Sequence, residues 1–187
     1  SNKSKIIIYG IDTGYPPSRI FWALEILGHT DVHILNGGYT SWKAANYAVT
    51  TDTSRPVTDP VTFVVNLNEK PLATKAYVIA NYNNPNFVVV DSRDAKDWIV
   101  KRIPGSINIL TGDYLNTDGT VKSFADLNTL LTSKGITAEK TVITHCYVGY
   151  RSSQAYFMYR LMGYTVSNYD GSSTEWFADP SLPFEPK

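Results

Sequence analysis

Apolar residues in this chain gather in short β-branched runs separated by stretches where they recur every three or four positions. Runs at 5–10 (KIIIYG), 32–36, 61–66 (VTFVVN), 86–91 (NFVVVD) and 141–145 are of strand length and bounded by turn formers. RIFWALEIL (19–27), LATKAYVIANY (72–82), SFADLNTLLTSKG (123–135) and the stretch from Ser152 to Met162 carry the helical period. The third of these is the clearest. Ser123 and Asp126 form a capping box, Leu127, Leu130 and Leu131 make the apolar stripe, and Gly135 ends it. Strands alternating with helices predict an α/β fold: a mostly parallel sheet covered by helices on both faces.

The pattern repeats. Lys5 and Lys140 are 135 positions apart, as are Gly28 and Gly163; Gly37 and Gly171, like Trp42 and Trp176, are 134 apart. Each copy reads as strand, loop, helix, glycine stop, strand, glycine turn and a short Trp-bearing helix. Gly28 and Gly163 suit the left-handed position that closes a helix. Only the second copy is preceded by further strands and helices. The expected organisation is therefore a partial first domain (1–48), a linker rich in Thr, Asp and Pro (49–60), and a complete second domain (61–187). A half sheet leaves strand edges and apolar surface open. The front half of the first copy is thus expected as a separate chain or as a symmetry mate.

Composition narrows the function. The 187 residues hold 17 Lys+Arg and 17 Asp+Glu, for a formal net charge of zero. No basic block points to nucleic acid, and no apolar run is long enough for a membrane helix. The single cysteine excludes an intrachain disulfide framework. It also shows no ligand spacing with His29, His33 or His145, so a metal site is not expected. The compartment, cytoplasmic or periplasmic, stays open.

That cysteine, Cys146, lies at the carboxyl end of the strand 141–145, where open parallel sheets collect their functional groups. The loop Tyr147-Val148-Gly149-Tyr150-Arg151 leads into a helix. Gly149 permits a tight turn of converging backbone N–H groups, the helix adds its positive end, and Arg151 adds a full charge. All three favour thiolate over thiol. A free cysteine pKa of about 8.5 falls to roughly 3.5–7.5 in such settings, and the same loop can bind an anionic substrate. Strand alternation turns His145 away from the sulfur, which makes it structural.

The segment VITHCYVGYRSSQAYFMYRLMGYTVSNYDGSSTEW resembles the catalytic half of rhodanese-type sulfurtransferases, with Cys146 as the persulfide-forming cysteine. VVVDSRDAKDW, holding Asp91 and Arg93, and RIPGSINI, with Arg102 before its Ile-Pro-Gly turn, are similar to the front half of the same domain. Residues 5–42 look like the back half of the non-catalytic domain of a tandem rhodanese. At a constant offset Cys146 falls on Ile11, and after a one-residue gap on Gly10; neither is a nucleophile. The resemblance implies sulfur transfer from thiosulfate or 3-mercaptopyruvate to a thiol or cyanide, without metal or organic cofactor. It implies substrate contacts from Tyr147 to Arg151 and supporting roles for Asp91, Arg93 and Arg102. Asp91 and Arg93 also read as a strand-end ion pair. Tyr147 and Val148 stand where thiosulfate-preferring members often carry basic residues, and Asp97 where tandem members often carry arginine. A non-catalytic persulfide carrier or redox-sensing module is the alternative. Phosphatases of related fold need C-x-x-x-x-x-R, whereas four residues separate Cys146 from Arg151 here.

Overall fold

The computed structural model describes residues 2–54 and 60–186. The strands are β1 (Ile6–Ile8), β2 (Val32–Ile34), β3 (Leu72–Ala73), β4 (Phe87–Asp91), β5 (Ile107–Asn108), β6 (Thr141–His145) and β7 (Val166–Tyr169). The helices are α1 (Tyr15–Ile26), α2 (Gly38–Ala44), α3 (Lys75–Asn81), α4 (Ala95–Val100), α5 (Phe124–Ser133), α6 (Ser152–Leu161) and α7 (Ser172–Ala178). Five strands form one sheet in the order β3-β7-β6-β4-β5, with every pairing parallel, and β1 pairs with β2, also parallel, in a second sheet.

Parallel strands are buried on both faces, so β4 and β6 read as unbroken apolar runs. Their side chains alternate. Val88, Val90 and Val142 enter a core with Leu127 and Leu131 of α5 and Ala155 and Met158 of α6. Val89 and Ile143 enter the opposite core with Val78 of α3 and Trp176 of α7. Helix α5 begins as its sequence requires: Ser123 Oγ accepts from the Asp126 amide at 3.2 Å and donates to Asp126 Oδ2 at 2.6 Å. Helices α1 and α6 close alike. Gly28 and Gly163 both sit at φ +82°, and the residue after each donates back to the carbonyl five residues earlier.

Helix α1 lies against α6. Phe21 meets the Phe157 ring edge-on at 4.9 Å, and Glu25 accepts from Tyr156 Oη at 2.5 Å and Arg160 Nη2 at 2.8 Å. Trp22 is buried in the same core as the α5 and α6 residues.

The run 61–66 is not a strand. It is extended but forms no ladder, and Val61, Val64 and Val65 are exposed. It crosses the end of α1, where the amides of Asn66 and Asn68 donate to the free carbonyls of Leu27 (3.1 Å) and Ile26 (2.8 Å). β-Branched residues favour extended backbone whether or not a neighbouring strand exists; the sheet edge is taken instead by β3. The expected linker, 49–60, has exposed residues without secondary structure at 49–54 and 60; residues 55–59 lie outside the described residues. Among the described residues no helix is long and apolar enough to cross a membrane.

Candidate active site

Cys146 follows the last residue of β6, the strand flanked by β4 and β7. Its side chain is buried, 1% exposed, yet it belongs to neither apolar core. Its backbone is tied to the start of α7: the amide donates to Ser172 Oγ and the carbonyl accepts from the Ser173 amide.

The hydrogen bonds of this loop fix the direction of its peptide groups. The carbonyls of Cys146 and Tyr147 accept from the amides of Ser173 and Thr174, both at 3.1 Å. The Gly149 carbonyl accepts from Asn168 Nδ2 at 3.0 Å. A trans peptide points its N–H opposite to its C=O. With these carbonyls held outward, the N–H groups of Tyr147, Val148 and Tyr150 turn to the other side. The loop is a carbonyl-out, amide-in arc suited to negative charge.

Two residues on or just past β7 hold the arc, and the sequence did not reveal them. Ser172 Oγ accepts from the amides of Cys146 (3.2 Å) and Gly149 (2.9 Å) and donates to the Tyr169 carbonyl (2.6 Å). It does so from φ +54°, a region that non-glycine residues rarely occupy. Asn168, fully buried, turns its Oδ1 to the hydroxyls of Thr144 (3.1 Å) and Ser152 (2.6 Å) while its amide holds Gly149. The expected convergence of loop amides therefore needs a correction: those of Cys146 and Gly149 are taken by Ser172. Gly149 itself cannot change. Its φ is +73°, and a Cβ would lie 2.3 Å from Asp170 Oδ1 and 2.7 Å from Asp170 Cα.

The other loop side chains are spread around the arc. Tyr147 Oη donates to Asp97 Oδ2 at 2.5 Å, so the acid that stands where a base was expected anchors this tyrosine. Burial, reinforced by Asp97, pushes the Tyr147 hydroxyl pKa up to about 12. Val148 is exposed at the tip, and the Tyr150 ring meets Tyr15 of α1 edge-on at 5.1 Å. Arg151 is partly exposed, 3.4 Å from Asp94 Oδ2 and above the Tyr147 ring, so an acid shares its charge.

Beneath the loop lies a buried charge cluster. Arg93 Nη2 donates to Asp91 Oδ2 at 2.6 Å and to the Lys101 carbonyl at 2.7 Å, and both members of the pair are buried. The ion pair read at the strand end is thus present and buried. His145 Nε2 lies 3.4 Å from Asp91 Oδ2, on the side the alternation assigned it, and burial holds its pKa below the usual 6.5. Arg102 is not gathered with the loop. Its guanidinium stacks on Trp98 and pairs with Glu185 at 3.3 Å, and its backbone bridges Glu185. Its place depends on a residue near the other end of the domain, beyond any local pattern.

The arrangement can hold a thiol sulfur, or a sulfur attached to it, against an arc of amides. Comparison with known proteins agrees. The Rhodanese-like domain family matches residues 74–179. The thiosulfate sulfurtransferase of Pseudomonas aeruginosa is 30% identical over 96% of this chain and 69% of its own length. The sulfur carrier protein TtuD of Thermus thermophilus is 30% identical over 94% of the chain and 69% of its length. Among solved structures, an EanB variant complex with ergothioneine covalently linked to a persulfide cysteine has a TM-score of 0.87 at 25% identity. It covers all of this chain, which spans 53% of that protein. The chain belongs to the rhodanese-like family.

Proposed function

We propose that the protein is a sulfurtransferase that carries sulfur on Cys146. The observation that supports this most is the arc itself: a lone thiol outside both cores, under a loop whose carbonyls are held outward. In the first step the Cys146 thiolate attacks the outer sulfur of thiosulfate. A new S–S bond forms, the donor's S–S bond breaks, and sulfite leaves with the electron pair. Cys146 is left as a persulfide anion facing the amides of Tyr147, Val148 and Tyr150, which stabilise it without reorganisation. In the second step an acceptor attacks the outer sulfur. Cyanide leaves as thiocyanate, or a thiolate leaves as a persulfide, and the Cys146 thiolate returns. Thiosulfate is the first donor to test because relatives carry it in their names; 3-mercaptopyruvate, which would leave as pyruvate after protonation, is the second. No step calls on Arg102, and Arg93 acts through its pair with Asp91 and its place over the Tyr147 ring, 5.8 Å from the centroid.

The name of the Thermus relative favours a second reading, that of a sulfur carrier. In that case the persulfide forms but passes only to a partner. Incubation with thiosulfate and cyanide separates the two. Catalytic formation of thiocyanate supports the enzyme, and a single stoichiometric loading of Cys146 without turnover supports the carrier.

The two-unit organisation belongs to the proposal. Residues 61–187 form the catalytic unit and 1–48 a scaffold without a nucleophile. One edge of β1 is unpaired among the described residues, with Ile7 61% exposed. The missing front half of this unit, as a separate chain, or a symmetry mate would cover it.

A further inference from the structure

The amino-terminal unit touches the cysteine loop through a charged side chain. Arg19, in the second turn of α1, donates from Nη1 to the Gly149 carbonyl at 3.3 Å and to Asp170 Oδ1 at 2.5 Å. Its guanidinium lies over the Trp22 ring, 4.4 Å from the centroid. Trp22 is itself buried and fixed by donation from Nε1 to the Pro71 carbonyl at 2.8 Å. The cation is therefore pre-set on its own helix before it reaches the loop.

Both acceptors control the arc. The Gly149 carbonyl fixes the plane of the next peptide and so the direction of the Tyr150 N–H. Asp170 lies against Gly149, and two residues later Ser172 accepts from the amides of Cys146 and Gly149. Arg19 thus ties the loop after β6 to the turn after β7. We propose that Arg19 is a positioning residue for sulfur transfer, through which the scaffold unit holds the Cys146 loop in its carbonyl-out form. This rests on the reading of Cys146 as the sulfur carrier. Asn168 also donates to the Gly149 carbonyl, so loss of Arg19 loosens the arc without collapsing it.

A second ion pair in the same helix interface serves as control. Glu25 of α1 binds Arg160 near the end of α6, at 2.8 Å, with no bond to the loop. The experiment compares Arg19→Ala, Arg19→Lys and Arg160→Ala in the full chain, by thiosulfate–cyanide kinetics and by hydrogen exchange over residues 146–154. Arg19→Ala should lower kcat about tenfold, with KM within about twofold, because geometry rather than binding is lost. Exchange over 147–151 should rise about tenfold. Lysine at this position should recover part of both, and Arg160→Ala should change neither beyond about twofold. Arg19→Gln, which keeps the stem on Trp22, replaces Arg19→Ala if that variant does not fold. Unchanged kcat and exchange in Arg19→Ala, or equal changes in Arg160→Ala, overturn the proposal. A wild-type protein that transfers no sulfur overturns the functional reading instead, while exchange still decides whether Arg19 holds the loop.

Discussion

The two strand–loop–helix units wrap the same backbone around different side chains. After β1, the carbonyls of Gly10 and Ile11 accept from the amides of Tyr39 and Thr40 in α2, at 2.8 and 3.0 Å. After β6, those of Cys146 and Tyr147 accept from Ser173 and Thr174 in α7 in the same way. The pattern puts Gly10 in the place of Cys146. It also puts Gly38, at φ +57°, in the place of Ser172, at φ +54°. The residue before the loop is Tyr9 in one unit, well exposed, and His145 in the other, buried beside Asp91. A parallel strand feeding a helix therefore supplies the first two outward carbonyls of the arc twice. The thiol, the hydroxyl that caps two amides and the buried charges below them occur once. The difference teaches that the scaffold sets where amides point, while a few side chains decide whether anything is done there.

Removing what only the second unit has should therefore cost most at its buried charges. Asp91→Asn leaves Arg93 buried without its counter-ion, and a loss of about 3–5 kcal/mol in unfolding free energy is expected. Urea denaturation measures it; a loss below 1 kcal/mol would mean that the Lys101 carbonyl and solvent suffice for Arg93.

Giving the second unit the first unit's residue is a milder change. Ser172→Gly relieves left-handed strain of about 1 kcal/mol but strips the acceptor from two buried amides, at about 1–3 kcal/mol each. Net destabilisation should be about 1–5 kcal/mol, with thiocyanate formation down about tenfold. Initial rates decide it. Full activity would show that Asn168 and the Ser173 and Thr174 amides hold the arc alone.

His145 gives the smallest effect. Its folded pKa lies below its unfolded value, so the unfolded chain binds the proton first. Stability should be flat above about pH 7 and should fall as pH drops below 6.5, by at most about 1.4 kcal/mol per pH unit. Thermal midpoints between pH 5 and 8 test this, and His145→Gln should flatten the profile. A midpoint that rises on acidification would mean that Asp91 stabilises a charged imidazole.

The chain shows unevenly how much a sequence can disclose. The loop from Cys146 to Arg151 was legible because its parts are contiguous: a strand, a thiol, a glycine and a helix start. The paired Asp91 and Arg93 were legible for the same reason, and so was the side of the sheet taken by His145. Asn168 and Ser172 were not, because they reach the loop only once β7 has paired beside β6, and neither residue type announces a partner more than 15 positions away. The place of Arg102 was not legible for the same reason: its partner, Glu185, is 83 positions on. The run 61–66 carried a true signal for extended backbone, but whether an extended segment finds a neighbouring strand is a property of the whole sheet. Asp97 looked like a lost positive charge, and only the fold shows it bonded to Tyr147.

The central claim is that Cys146 carries sulfur on an arc of amides, and its most direct test is the mass of the protein itself. The intact chain is mixed with thiosulfate and no acceptor, desalted and weighed, then treated with cyanide and weighed again. The account predicts a gain of one sulfur atom, mapped to the peptide that holds Cys146, absent in Cys146→Ala and removed by cyanide as thiocyanate. An unchanged mass under both thiosulfate and 3-mercaptopyruvate, or a gain that survives in Cys146→Ala, would contradict it.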